Sequence, residues 1–172
     1  MEITAAMVKA LREETGAGIM DCKRALSDTA GDVEKAKAIL REKGLASAAK
    51  KESRETSQGL VEVYIHGGGR IGAMVELNCE TDFVARTDEF KGLARDIAMQ
   101  VVALNPRFVS PDSAPAATIE AEGLSEEDVK NASITTQAYF RDPKLTVGEK
   151  IKEVIAKSGE NIRVRQIGRA HV

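Results

Sequence analysis

The run Val61-Glu62-Val63-Tyr64-Ile65-His66-Gly67-Gly68-Gly69-Arg70-Ile71-Gly72-Ala73-Met74-Val75-Glu76-Leu77 decides the fold. Val61, Val63 and Ile65 alternate with Glu62, Tyr64 and His66, the two-residue period of a strand rather than the 3.6-residue period of a helix. Three consecutive glycines interrupt the run, and the alternation resumes at Ile71, Ala73, Val75 and Leu77. Two alternating segments joined by glycine read as a β-hairpin, because glycine reaches the backbone angles that a tight reversal demands.

Upstream of the hairpin the spacing is helical. Met7, Val8 and Leu11 share one helix face, and Thr15-Gly16-Ala17-Gly18 supplies a stop and a turn. Ile19, Cys22, Ala25 and Leu26 mark a second helix closed by Gly31. Asp32 suits the N-cap of a third, which carries Val33, Ala36, Ile39 and Leu40 and is expected to stop at Gly44. Residues 1–45 therefore read as a three-helix domain whose core is small, a kind of domain that usually offers a surface to a partner. Residues 46–58, alanine-rich and then strongly charged, read as a linker without a core face.

Downstream, the hairpin runs straight into Asn78-Cys79-Glu80-Thr81-Asp82-Phe83-Val84-Ala85-Arg86. Phe90, Leu93, Ala94, Ile97, Val101 and Leu104 then trace the apolar stripe of a long helix, with Thr87 as its cap and Asn105-Pro106 as its end. Residues 106–145 hold all four prolines and little periodicity, apart from a short helical piece at Ser125–Ala132. Thr146-Val147-Gly148-Glu149 fits a capping box and opens a helix through Ile151, Val154 and Ile155 to Ser158-Gly159. Asn161–Arg169 alternates again as a closing strand. The predicted class is α+β, with residues 59–172 forming an antiparallel-sheet domain behind the helical one.

Composition bounds the function. A chain of 172 residues, 42% hydrophobic, has enough apolar mass for a core. A net charge of −2 with 30% charged residues argues against whole-surface attraction to nucleic acid or membrane, so a partner must be recognised by a local patch. The first twenty residues include Glu2, Lys9, Arg12, Glu13 and Glu14, unlike a secretion signal, and no run approaches ~18 apolar residues. The expected location is cytoplasmic, with Cys22 and Cys79 as reduced, buried thiols.

Several motifs invite catalytic readings. His66-Gly67-Gly68-Gly69 matches an oxyanion loop, but no G-x-S-x-G elbow accompanies it. Gly16 and Gly18 belong to no phosphate-binding consensus. Cys79, Glu80 and Asp82 lack the further soft or imidazole ligands that a zinc site needs, since the only histidines are His66 and His171. Cys79 as a nucleophile needs a base, for which His66 in the partner strand is the one candidate. Arg163, Arg165 and Arg169 line a strand edge, but six aromatics in all give poor support to base stacking. No catalytic residue, metal or cofactor is expected. Phe83 keeps two readings, a core plug between hairpin and helix or an exposed aromatic anchor ringed by charge.

Two long motifs in this order resemble the elongation factor Ts family. Thr-Gly-Ala-Gly-Ile-Met-Asp-Cys-Lys-Arg-Ala-Leu (Thr15–Leu26) is similar to its N-terminal signature and Asn78–Arg86 to its second. Tyr64-Ile65-His66 with the glycine turn, Asp142–Val147 and Gly159–Arg165 extend the resemblance, which covers residues 1 to about 109 and about 134 to 166. It implies a guanine-nucleotide exchange factor, not an enzyme, that binds elongation factor Tu in its GDP-bound and nucleotide-free states without contacting nucleic acid or membrane. It further implies that the three-helix domain is of the ubiquitin-associated type and docks through Leu11, Ile19, Met20 and Lys23, with Ile19 replacing the more usual methionine. Thr81, Asp82, Phe83 and Val84 would then form the segment that displaces Mg2+ from the partner, with Phe83 as the wedge. The stretch at 110–133 is shorter than in long members of the family, and Ile167–Val172 departs from the aromatic, acidic family ending.

Overall fold

Three helices, α1 (Ala5–Thr15), α2 (Ile19–Asp28) and α3 (Val33–Ala49), open the computed structural model, which describes residues 2–172. Thr4 caps α1 by accepting from the Met7 amide, and Asp32 caps α3 by accepting from Lys35. Val8, Leu11, Cys22, Ala25, Leu26, Ala36 and Leu40 form the core of these helices. These residues up to Ser53, together with Lys152–Gly159, make one compact unit; Arg54–Ile151 and Glu160–Val172 make the other.

The third helix does not stop at Gly44 as expected but continues for another turn, to Ala49, and buries Ala48 completely. A glycine inside a helix costs about 1 kcal/mol relative to alanine. Here it has a packing role, because a Cβ at position 44 would lie 3.1 Å from Cβ of Ala156 in the same unit. The glycine admits a close contact instead of ending the helix. The charged segment from residue 46 accordingly has a core face at Ala48 that composition concealed.

In the second unit the hairpin forms as expected. β1 (Gln58–His66) pairs antiparallel with β2 (Ile71–Cys79), from Gln58↔Cys79 to His66↔Ile71, around three glycines that all have positive φ. The four-residue turn Gly67–Arg70 also decides which side of β1 faces inward. It sets Leu60, Glu62 and Tyr64 of β1 opposite Leu77, Val75 and Ala73 of β2, and directly opposed residues share a face. Ala73, Val75 and Leu77 are buried, so Val61, Val63, Ile65 and Met74 stand on the outer face, exposed. A turn one residue shorter or longer would have exchanged the two faces.

After β2 come the single-turn helix α4 (Asp82–Ala85) and the long α5 (Asp88–Leu104), capped by Thr87, whose hydroxyl accepts from the Phe90 amide at 3.3 Å. α5 packs on the inner face of the sheet with Phe90, Leu93, Ala94, Ile97, Ala98 and Val101 buried. Two short helices follow, α6 (Ala116–Glu122), which carries too little periodicity to be predicted, and the expected α7 (Glu126–Asn131). A small hairpin of β3 (Ala138–Tyr139) and β4 (Asp142–Thr146) was also not legible; it is tied to α5 by Gln100, which is 1% exposed. The Gln100 amide donates to Ala138 O at 2.9 Å and accepts from Phe140 N at 3.2 Å.

The capping box at Thr146 is present in full. Thr146 N donates to Glu149 Oε2 at 2.8 Å, Glu149 N donates to Thr146 Oγ1 at 3.1 Å, and α8 (Val147–Ser158) begins there. β5 (Ile162–His171) then pairs antiparallel with β2 and completes a three-stranded sheet of order β1-β2-β5. The α+β class is as predicted.

Candidate functional site

The last ladder pair between the central strand and its late partner is Cys79↔Ile162. Just beyond it the two strand ends exchange side-chain bonds. Thr81 donates its amide N–H to Glu160 Oε2 at 3.0 Å and its hydroxyl to Glu160 Oε1 at 2.6 Å. In return, Asn161 donates its amide N–H to Glu80 Oε1 at 2.6 Å. The Asn161 side chain is buried and donates to the Arg54 carbonyl at 2.8 Å, while Arg54 Nη1 lies 3.4 Å from Glu80 Oε1. Cys79 Sγ donates to the Thr81 carbonyl at 3.1 Å.

On this platform stands α4. Thr81, in extended conformation, is its N-cap residue, and Ala85 is its buried side chain. Asp82 forms an ion pair with Arg86 one turn on, at 2.8 Å. Thr81, Asp82 and Val84 are half-buried. Phe83 is 80% exposed, against complete burial of Phe90 seven residues later. Of the two readings open for Phe83, the geometry selects the exposed one.

The chemistry of Cys79 argues against nucleophilic catalysis. Burial, reinforced by the negative charge of Glu160, pushes its thiol from an ordinary 9.0 up to about 11. His66 pairs with Ile71 at one end of the hairpin and Cys79 with Gln58 at the other. Eight residues of strand at about 3.4 Å each separate them by about 27 Å, so the base considered from sequence lies at the wrong end. Among the described residues no group of three or more His, Cys, Asp or Glu side chains is arranged to hold a metal ion. No described helix is long and apolar enough to cross a membrane.

The helical unit carries the other candidate surface. Ile19 and Met20 are 57% and 65% exposed at the start of α2, and Lys23, one turn on, is also exposed. Leu11, expected beside them, is only 2% exposed and sits among Val8, Cys22, Leu26 and Leu40. Its side chain is spent on the core, so it is not a surface contact. Glu160 and Asn161 were missed as members of the Thr81 cluster. They follow Thr81 by 79 and 80 residues, and only the register of the closing strand brings them together.

The family described as Elongation factor TS matches residues 5–135 of the chain. The chain is 50% identical over 190 residues to elongation factor Ts of Heliobacterium modesticaldum, covering 97% of this chain and 88% of that protein. The same identity and coverage hold for elongation factor Ts of Carboxydothermus hydrogenoformans. Elongation factor Ts of Herpetosiphon aurantiacus is 46% identical over 195 residues, covering 100% of this chain and 98% of that protein.

Proposed function

The chain belongs to the elongation factor Ts family and has a role in translation elongation, and from that premise we propose that it is the guanine-nucleotide exchange factor for elongation factor Tu. The exposure of Phe83 carries this reading: an 80% exposed aromatic on a braced single-turn helix is a projecting apolar group, most of whose surface the chain itself leaves in water. Docking would begin on the three-helix domain at residues 1–45, through Ile19, Met20 and Lys23, with Leu11 supporting α2 from beneath. The second unit, Arg54–Ile151 with Glu160–Val172, would then present Thr81, Asp82, Phe83 and Val84 beside the partner's Mg2+.

The physics of such a role needs no bond chemistry. Mg2+ demands near-ideal octahedral geometry and tolerates little displacement of its ligands. An aromatic wedge beside it weakens metal and phosphate binding together. By linkage, a protein that binds the nucleotide-free partner more tightly than the GDP-bound one weakens GDP binding by the same factor. Rebinding is then decided by nucleotide supply, and GTP replaces GDP by mass action. The chain makes and breaks no covalent bond in this scheme, which is in keeping with an inert Cys79 and a distant His66. The setting is the cytoplasm, where elongation proceeds.

The test is release of a fluorescent GDP analogue from preloaded elongation factor Tu. Acceleration by micromolar amounts of this protein is expected; a release rate that stays at the spontaneous value refutes the proposal.

A further inference from the structure

An α-helix of four residues is far below the length at which helices persist alone, yet α4 must hold Phe83 outward in one place. Its N-cap residue gives it no help of the usual kind, because the Thr81 hydroxyl caps no amide of α4. Both polar hydrogens of Thr81 go instead to one carboxylate, that of Glu160, which accepts at 3.0 Å and 2.6 Å. Charged acceptors of this kind make the stronger class of hydrogen bond. The carboxylate comes from the approach to β5, the strand paired beside β2, on the residue that follows the reversal at Gly159, and it is half-buried. Its bonds fall on the residue that begins α4, beyond the final ladder pair, so they restrain the helix rather than the sheet. The reciprocal bond from Asn161 N–H to Glu80 holds the neighbouring residue in the same way.

We infer that Glu160 is a positioning residue for nucleotide exchange: by clamping Thr81 it fixes the orientation in which α4 presents Phe83. The inference rests on the exchange reading given above. A fixed anchor surrenders less conformational freedom on docking than a loose one, so the clamp strengthens the insertion without touching the partner. Glu160 acts through Phe83 and not beside it.

The experiment uses the full chain with Glu160→Ala and Glu160→Gln, each alone and combined with Phe83→Ala. Hydrogen–deuterium exchange follows the Ala85, Arg86 and Thr87 amides, which bond to the Thr81, Asp82 and Val84 carbonyls. It needs no partner. Glu160→Ala is expected to speed exchange of these amides about tenfold while the central amides of β2 keep their protection. Glu160→Gln keeps the shape and one acceptor oxygen, so its effect is expected to be smaller. In fluorescent GDP release from elongation factor Tu, Glu160→Ala is expected to slow the stimulated rate about tenfold and to add nothing to Phe83→Ala, the signature of one residue acting through another.

Unchanged protection of the α4 amides in either folded variant overturns the inference. So does full additivity with Phe83→Ala, which would mark Glu160 as general structural support. Should Glu160→Ala fail to fold, the glutamine variant decides by the same two readouts. A wild-type chain that does not accelerate release overturns the exchange reading and the role of Glu160 in it, whereas failure of the clamp alone leaves wild-type acceleration and the Phe83→Ala loss in place.

Discussion

Phe83→Ala separates a working aromatic from a packed one. Fully burying a phenylalanine side chain is worth about 1.5–3 kcal/mol by area, and truncating one in a core costs about 3–5 kcal/mol. With 80% of Phe83 in water, the covered fifth accounts for about 0.3–0.6 kcal/mol on the same area scale. For a chain of this size that is a fall in Tm of about 1–2 °C. Removing an aromatic anchor from the centre of an interface costs about 2 kcal/mol or more, close to a thirtyfold change at about 1.4 kcal/mol per factor of ten. The variant should therefore melt almost as the wild type does and accelerate GDP release about thirtyfold less. Scanning calorimetry gives the first quantity, and stopped-flow fluorescence with preloaded elongation factor Tu gives the second. A Tm drop near 10 °C would show a core residue, and a release rate within about twofold of wild type would show an idle one. Either refutes the reasoning.

Other substitutions address the remaining elements. Met20→Asp, on the exposed start of α2, should weaken binding to nucleotide-free elongation factor Tu at least about tenfold in titration calorimetry while Tm stays constant; undiminished affinity would remove α2 from the docking surface. Cys79 bears on high pH. Its folded thiol is held up to about 11 against an ordinary 9.0, so the unfolded chain loses that proton first, and the stabilisation, complete below about pH 9, is lost as pH rises to about 11. Urea midpoints across that window should fall more steeply for wild type than for Cys79→Ala, and parallel curves would contradict the assignment. Gln100→Leu, at a side chain that is 1% exposed, removes the bonds to the Ala138 carbonyl and the Phe140 amide, at about 0.5–1.5 kcal/mol for each; a loss below about 0.5 kcal/mol in urea denaturation would show that water replaces both bonds.

What was legible in the sequence was what local spacing encodes. The hairpin from Gln58 to Cys79 and the capping box at Thr146 each depend on residues within a few positions of one another, and both are present as read. Gly44 misled because a glycine that ends a helix and one that admits a neighbouring Cβ look alike in one dimension; Ala156, the neighbour, lies 112 residues on. Which face of β1 points inward was not legible, for a different reason. Alternation marks two faces without saying which is inside, and the length of the turn at Gly67–Arg70 chose the side of Leu60, Glu62 and Tyr64. Leu11 and Met20 show the same ambiguity, both apolar on short helices, one buried and one in water. The exposure of Phe83 could not be decided from its neighbours, because Ala85 and Phe90 supply the burial that α4 and α5 require.

The sheet order β1-β2-β5 also has a consequence in time. Thr81 and Glu160 are 79 residues apart, and at about 5–20 residues per second of synthesis the second follows the first by about 4 to 16 s. Through that interval a nascent chain holds a paired hairpin, an unpaired inner edge on β2 and an α4 whose clamp has not yet been made. The residue proposed to do the work is thus put in its final setting only when nearly the whole chain has left the peptidyl-transferase centre, and a product cut short before Gly159 would carry Phe83 but not the means to hold it.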